Sequence, residues 1–200
     1  EATNKVFCMT FMENALRDPI TNEIGKSIIF CVNQAHARKI TEILNDIADK
    51  MFPNKYNSDF AVQITSNVMD AQQMTINFAN NKLNGYSKWN EDYETSKSRV
   101  AVTVAMMTTG YDCTDILNLG LMRPIFSPTD FIQMKGRGTR LHTFKYKDKS
   151  IKKETFKIFD FFYVYYKIIR YCEFADFRSR FSYVYHTTSR KRYFSFVLNG

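Results

Sequence analysis

Residues 99–112, RVAVTVAMMTTGYD, decide the fold class. Arg99–Val104 is a short apolar run rich in β-branched residues, the pattern of a strand buried on both faces. It delivers a Thr-Thr-Gly-x-Asp turn at its carboxyl end, the edge where ligands bind in open α/β sheets. Gly110 permits a sharp turn or a close approach to a ligand, Thr108 and Thr109 supply hydroxyls, and Asp112 supplies an acceptor. Gly and Asp also favour ordinary turns, so the segment alone leaves both readings open.

Further strands follow in both directions: Ser27–Val32 (SIIFCV), Phe60–Thr65 (FAVQIT), Ile116–Met122 and Thr155–Phe161 (TFKIFDF). After the first, Asn33 can cap a helix whose stripe is Ile40, Ile43, Leu44, Ile47, Ala48 and Met51, closed by Pro53. A second helix runs from Asp70 to near Leu83, with Ala71, Met74 and Phe78 at helical spacing. Ser127, Pro128 and Asp130 mark a third helix start: a capping hydroxyl, a proline at the first position and an acid facing unpaired amides. That helix is expected to carry Phe131, Ile132 and Met134 inward. The polar residues 84–98 and the lysine-rich Lys145–Lys153 read as exposed loops. Alternation of apolar strands with helices predicts an α/β domain: an open, mostly parallel sheet with helices on both faces.

Composition bounds the rest. At 200 residues, 44% hydrophobic and 24% charged, the chain suffices for one domain without a metal or disulfide staple. It excludes collagen and disordered tails. No run of 18 apolar residues suits a membrane span, and no signal-peptide pattern opens the chain. It does not begin with Met, as a piece of a longer protein would not. Cys8, Cys31, Cys113 and Cys172 are scattered, and His36, His142 and His186 supply no metal-ligand spacing. Reduced core cysteines, a cytoplasmic location and no metal site are expected.

The net charge is +8, and residues 161–200 hold seven basic residues against two acidic ones. A basic chain suits nucleic acid or simply a solvated surface. The tail interleaves aromatics with arginines and shows no clean period. It could stack on single-stranded bases, but core packing or a contact surface is the preferred reading. The expected division is therefore a domain over 1–161, its sheet closing with Thr155–Phe161, and an aromatic, basic extension over 162–200.

Two motifs remain. Gly25-Lys26-Ser27 resembles the end of a phosphate-binding loop, but Ile20 stands where that loop needs glycine, and a strand follows instead of a helix. Gln133–Arg140, QMKGRGTR, places Arg137 and Arg140 three apart, so on a helical turn they project to one side. Two guanidiniums can grip a phosphate or neutralise charge developing on it. Gly136 and Gly138 are costly in a helix, which implies a demand on the backbone there.

A strand ending in TTGYD and a later QxxGRxxR resemble motifs V and VI of the second motor domain of superfamily 2 helicases. GKSIIFCVNQAHA resembles the motif IV strand and helix. The run TVAMMTTGYDCTDILNLGLMRPIFSPTDFIQMKGRGTRL is similar to the R subunit of type I restriction-modification enzymes, the likeness covering about residues 10–161. The resemblance implies a RecA-like fold and an ATP-dependent DNA translocase. ATP and Mg2+ would be held mainly by a first motor domain of the same full-length chain. Double-stranded DNA and the methylation and specificity subunits would be partners, with no membrane association. It implies that Arg140 is an arginine finger, that Arg137 also reaches the γ-phosphate, and that Gln133 orders nucleotide or water. Gly110, Asp112 and Gly136 would bind nucleotide or couple it to domain closure, with Asp112 near the ribose. Thr65 and Ser66 would meet DNA phosphates, and Thr108 and Thr109 would lie near the DNA backbone or the interdomain cleft. Relatives often carry an acid where Ala105 stands and Pro where Thr114 stands. Two other readings stay open: half of an RNA or DNA-repair helicase, and a non-catalytic assembly or nucleic-acid-binding module.

Overall fold

A computed structural model describes residues 2–90, 92–104, 112–160, 181–188 and 191–198. In chain order the elements are α1 (Ala2–Asn14), β1 (Ser27–Cys31), α2 (Gln34–Met51), β2 (Ala61–Gln63), α3 (Ala71–Ala79), β3 (Tyr86–Asn90), β4 (Tyr93–Ser96) and β5 (Val100–Thr103). They continue with β6 (Asn118–Met122), α4 (Pro128–Lys135), β7 (Thr143–Tyr146), β8 (Lys149–Lys152), β9 (Thr155–Asp160), β10 (Phe181–Thr188) and β11 (Lys191–Leu198).

The main sheet runs β10-β11-β9-β6-β1-β5-β2. The five strands from β9 to β2 are parallel neighbours, and β1 at their centre is buried along its whole length. Alternation along each strand feeds two cores. Ile28, Phe30, Ala101, Leu119, Leu121, Phe156 and Ile158 pack with Phe78 of α3 and with Phe131 and Met134 of α4. Ile29, Cys31, Val100, Val102, Met122 and Phe159 pack on the other face with Phe7 and Phe11 of α1 and Ile40 and Leu44 of α2. This is the RecA-like arrangement, with helices on both faces.

Capping follows the sequence at two helices. The Asn33 side chain accepts from the His36 amide, and the Ser127 hydroxyl accepts from the Asp130 amide. Helix α1 lies close over β6, where Gly120 leaves room: a Cβ there would stand 3.0 Å from the Phe7 ring.

Four expectations need correction. Ile132 does not point inward; it is 48% exposed. Residues 84–98 are not all loop, because β3 and β4 pair as an antiparallel hairpin. Buried acids hold that hairpin: Tyr93 donates to Asp18 and Thr95 to Glu23. The lysine-rich stretch is also a hairpin, β7 on β8, and its last residue, Lys153, is buried. The sheet does not stop at β9, since β11 adds antiparallel to β9 and β10 to β11. No described helix is long and apolar enough to cross a membrane.

Candidate functional site

The segment leading into β6 and the turn after α4 meet near the amino ends of the strands. Arg140 is ion-paired with Asp112, which joins the end of the TTGYD motif to the end of QxxGRxxR. Two residues on, the Thr114 hydroxyl is hydrogen-bonded to His142 Nδ1 at 2.8 Å. Beneath them Lys153 donates from Nζ to the carbonyls of Thr114 and Arg140, at 3.1 and 3.0 Å. Lys26 lies 2.8 Å from Asp115 and also donates to the Ala79 carbonyl. Burial pushes the Asp115 carboxyl up, but Lys26 and the Cys113 thiol outweigh it and hold the group at about 2. The Lys26 ammonium is therefore committed to a buried carboxylate, which agrees with rejecting a phosphate loop at Gly25-Lys26-Ser27.

The two glycines of GRGTR do different things. Helix α4 ends at Lys135, and Gly136 is its cap. A Cβ on Gly138 would drive into the Phe156 ring of β9.

The carboxyl edge of the sheet carries a different feature. A groove of about 340 Å³ is lined by Gln34, Ala35 and Arg38 from the start of α2 and by Gln63, Thr65, Asn67 and Val68 after β2. Gln63 Nε2 donates to Gln34 Oε1 at 3.0 Å. Arg38 is the groove's one charged lining residue, and it lies 3.8 Å from Glu42 on the outer face of α2. A helix N-terminus and a guanidinium together favour an anion.

No family model matches the chain. The endonuclease subunit of the type I restriction enzyme EcoKI from Escherichia coli K12 is 32% identical over 166 residues, covering 78% of this chain and 12% of that protein. The endonuclease subunit of EcoAI from Escherichia coli is 30% identical over 141 residues, covering 70% of this chain and 15% of that one. A solved fragment assigned to the HsdR subunit of a type I restriction enzyme from Vibrio vulnificus YJ016 superposes with a TM-score of 0.52 at 25% identity. It covers 70% of this chain and 24% of that one. The chain is a homologue of type I restriction endonuclease (HsdR) subunits.

In this HsdR homologue the residues expected to act together are only partly gathered. Arg140 and Asp112 meet, but near the amino edge, not the carboxyl edge that the strand-turn reading suggested. The arginines do not share an open helical side: both follow the end of α4, Arg137 is buried, and Arg140 is about one-third exposed. Gln133 is exposed on α4 and Gly136 half-buried. Thr65 is buried and its hydroxyl accepts from Gln63 at 3.4 Å, whereas Ser66 beside it is exposed. Gly110, Thr108, Thr109 and Ala105 lie outside the described residues. Among the described residues no cluster of three His, Cys, Asp or Glu could hold a metal ion. The sequence reading missed Lys153, Lys26 and Asp115; a Lys26–Asp115 pair carries no local signal because the partners are far apart in the chain.

Proposed function

We propose that residues 1–161 are the second motor domain of an ATP-driven DNA translocase within a type I restriction endonuclease subunit, with 162–200 as an appended extension. The observation that carries this reading is the Asp112–Arg140 ion pair, which joins the two motif-bearing segments in a homologue of HsdR subunits. ATP sits between this domain and a first motor domain of the full-length chain. The latter would supply the phosphate loop and most of the magnesium ligands, since Ile20 stands where a phosphate loop here would need glycine. Arg140 is the arginine finger, Arg137 supports it near the γ-phosphate, and Gln133 orders nucleotide or water. Asp112, Gly110 and Gly136 couple nucleotide to domain closure.

In this reading Arg140 leaves Asp112 for the nucleotide and neutralises charge as the γ-phosphoryl group departs. Its exposure allows that exchange of partners. Thr65, which lines the carboxyl-edge groove, and the neighbouring Ser66 meet the DNA backbone together with Thr108 and Thr109, and Arg38 adds a phosphate contact. Methylation and specificity subunits complete the assembly.

The deciding experiment is Arg140→Ala in a full-length motor subunit carrying this segment. Turnover of ATP falls by roughly 10³ or more while nucleotide binding changes little. Arg140→Lys recovers little, since an ammonium cannot present the planar fork. Near-normal turnover in Arg140→Ala sinks the assignment.

A further inference from the structure

We propose that Lys153 is a positioning residue for the motor reaction: its ammonium clasps the main chain of Arg140 to that of Thr114 and so fixes where the Arg140 guanidinium points. The inference rests on reading Arg140 as the finger.

Lys153 closes a run of five lysines whose other members, Lys145, Lys147, Lys149 and Lys152, are exposed. Its own side chain is 4% exposed. Burying an ammonium is unfavourable unless its donors are matched, and here two of its three are matched by carbonyls from separate segments. One belongs to Thr114, 39 positions earlier in the chain, and one to Arg140, 13 positions earlier. The Lys153 amide also donates to the His142 carbonyl at 2.8 Å, so the residue grips the arginine-bearing turn twice. The side chains of that turn reach the same segment, Arg140 to Asp112 and His142 to Thr114. The segment 112–114 and the turn 140–142 are thus one unit, tied by main chain below and by side chains above. Thr114 contributes both its carbonyl and its hydroxyl to that unit.

The charges around Lys153 come from every neighbouring element. Asp115 and Cys113 lie on the segment before β6, and Arg140 and His142 on the turn after α4. Lys26, ahead of β1, is engaged with Asp115. Burial pushes Lys153 down to about 8, Asp115 opposing and Arg140 reinforcing the shift. Above that pH the clasp loses its charge, and its two bonds to carbonyls fall to the strength of neutral donors.

The test compares Lys153→Met, Lys153→Arg and Arg140→Ala in a full-length motor subunit carrying this segment. Misplacing a reacting group by an ångström costs about 10²-fold, so Lys153→Met is expected to lower kcat on that order. KM for ATP should stay within about twofold, since ground-state binding is not what the clasp serves. Amide exchange at 112–115 and 139–142 should quicken in Lys153→Met. The unmodified motor should lose kcat above about pH 8, and Lys153→Arg, permanently charged, should lose that alkaline limb. If Lys153→Met does not fold, the pH profiles of the unmodified and Lys153→Arg motors decide alone. Normal kcat in Lys153→Met, or an unchanged alkaline limb in Lys153→Arg, overturns the proposal. Loss of turnover in Arg140→Ala beside normal turnover in Lys153→Met overturns this inference only; normal turnover in Arg140→Ala overturns both.

Discussion

At the carboxyl edge of the sheet, a groove is lined by neutral side chains that bond one another and by one exposed arginine. At the amino edge, buried cations are spent on main-chain carbonyls and a carboxylate: Lys153 on Thr114 and Arg140, Lys26 on Ala79 and Asp115. The groove can admit a ligand with little rearrangement, because its polar groups keep water or each other as partners. The amino-edge cluster cannot lose a member without stranding a buried group, which costs far more than an exposed contact returns. On the proposed function, adaptable contacts suit DNA of any sequence, and the rigid cluster suits a reaction that tolerates little misplacement.

The sharpest way to break this contrast is to exchange the effects. Arg140→Ala should remove turnover by roughly 10³ and leave DNA affinity nearly unchanged, which filter binding beside phosphate release would read. A large loss of DNA affinity would merge the two regions.

Next in size is Lys26→Met, which strands Asp115. Breaking a buried pair costs about 3–5 kcal/mol, measurable by urea unfolding of the 200-residue chain. The pH dependence has a fixed sign. With Asp115 held at about 2 against an ordinary value near 4, its contribution is full above the ordinary value and lost as pH falls through about 2. Lys26→Met should erase that share of acid sensitivity.

Gly138→Ala forces a methyl into Phe156, an overpacking that costs about 1–3 kcal/mol. A melting curve should show it, with groove binding intact.

Arg38→Ala is smaller. Losing one phosphate contact should reduce the salt slope of DNA binding by about 1, while turnover at saturating DNA is kept. A turnover defect of Arg140 size would unseat the division between the edges.

The mildest change is a chain ending at Phe162. If five parallel strands suffice for both regions, it melts cooperatively and keeps its Asp115 acid limb. A non-cooperative product would show that β10 and β11 belong to the motor fold.

The parallel strands and helices α2, α3 and α4 were legible because their signals are local: continuous apolar runs for strands buried on both faces, apolar stripes for α2 and α3, and caps for α2 and α4. The two hairpins were not, since polar strands such as Tyr93–Ser96 exist by pairing and by distant acids such as Asp18 and Glu23. Helix α1 hid because Val6 and Met9 are exposed beside buried Phe7 and Met12; the Phe7–Phe11 spacing was its one clue. At the site, the motif residues Asp112 and Arg140 could be named from sequence, but their edge depends on how the connections cross the sheet. Lys153 was read as solvated with its neighbours because burial of one lysine in five leaves no mark on composition.

Lys153 also has a bearing on the order in which the chain assembles. Its two acceptors lie 13 and 39 residues earlier, and closing the longer loop carries the greater entropy cost, growing with the logarithm of loop length. Thr114 must wait for the β7–β8 hairpin to turn back before its carbonyl finds a donor. Because Lys153 stands just ahead of β9, the seam between the two motifs closes as β9 docks on β6, so the last parallel strand and the clasp are set in one step.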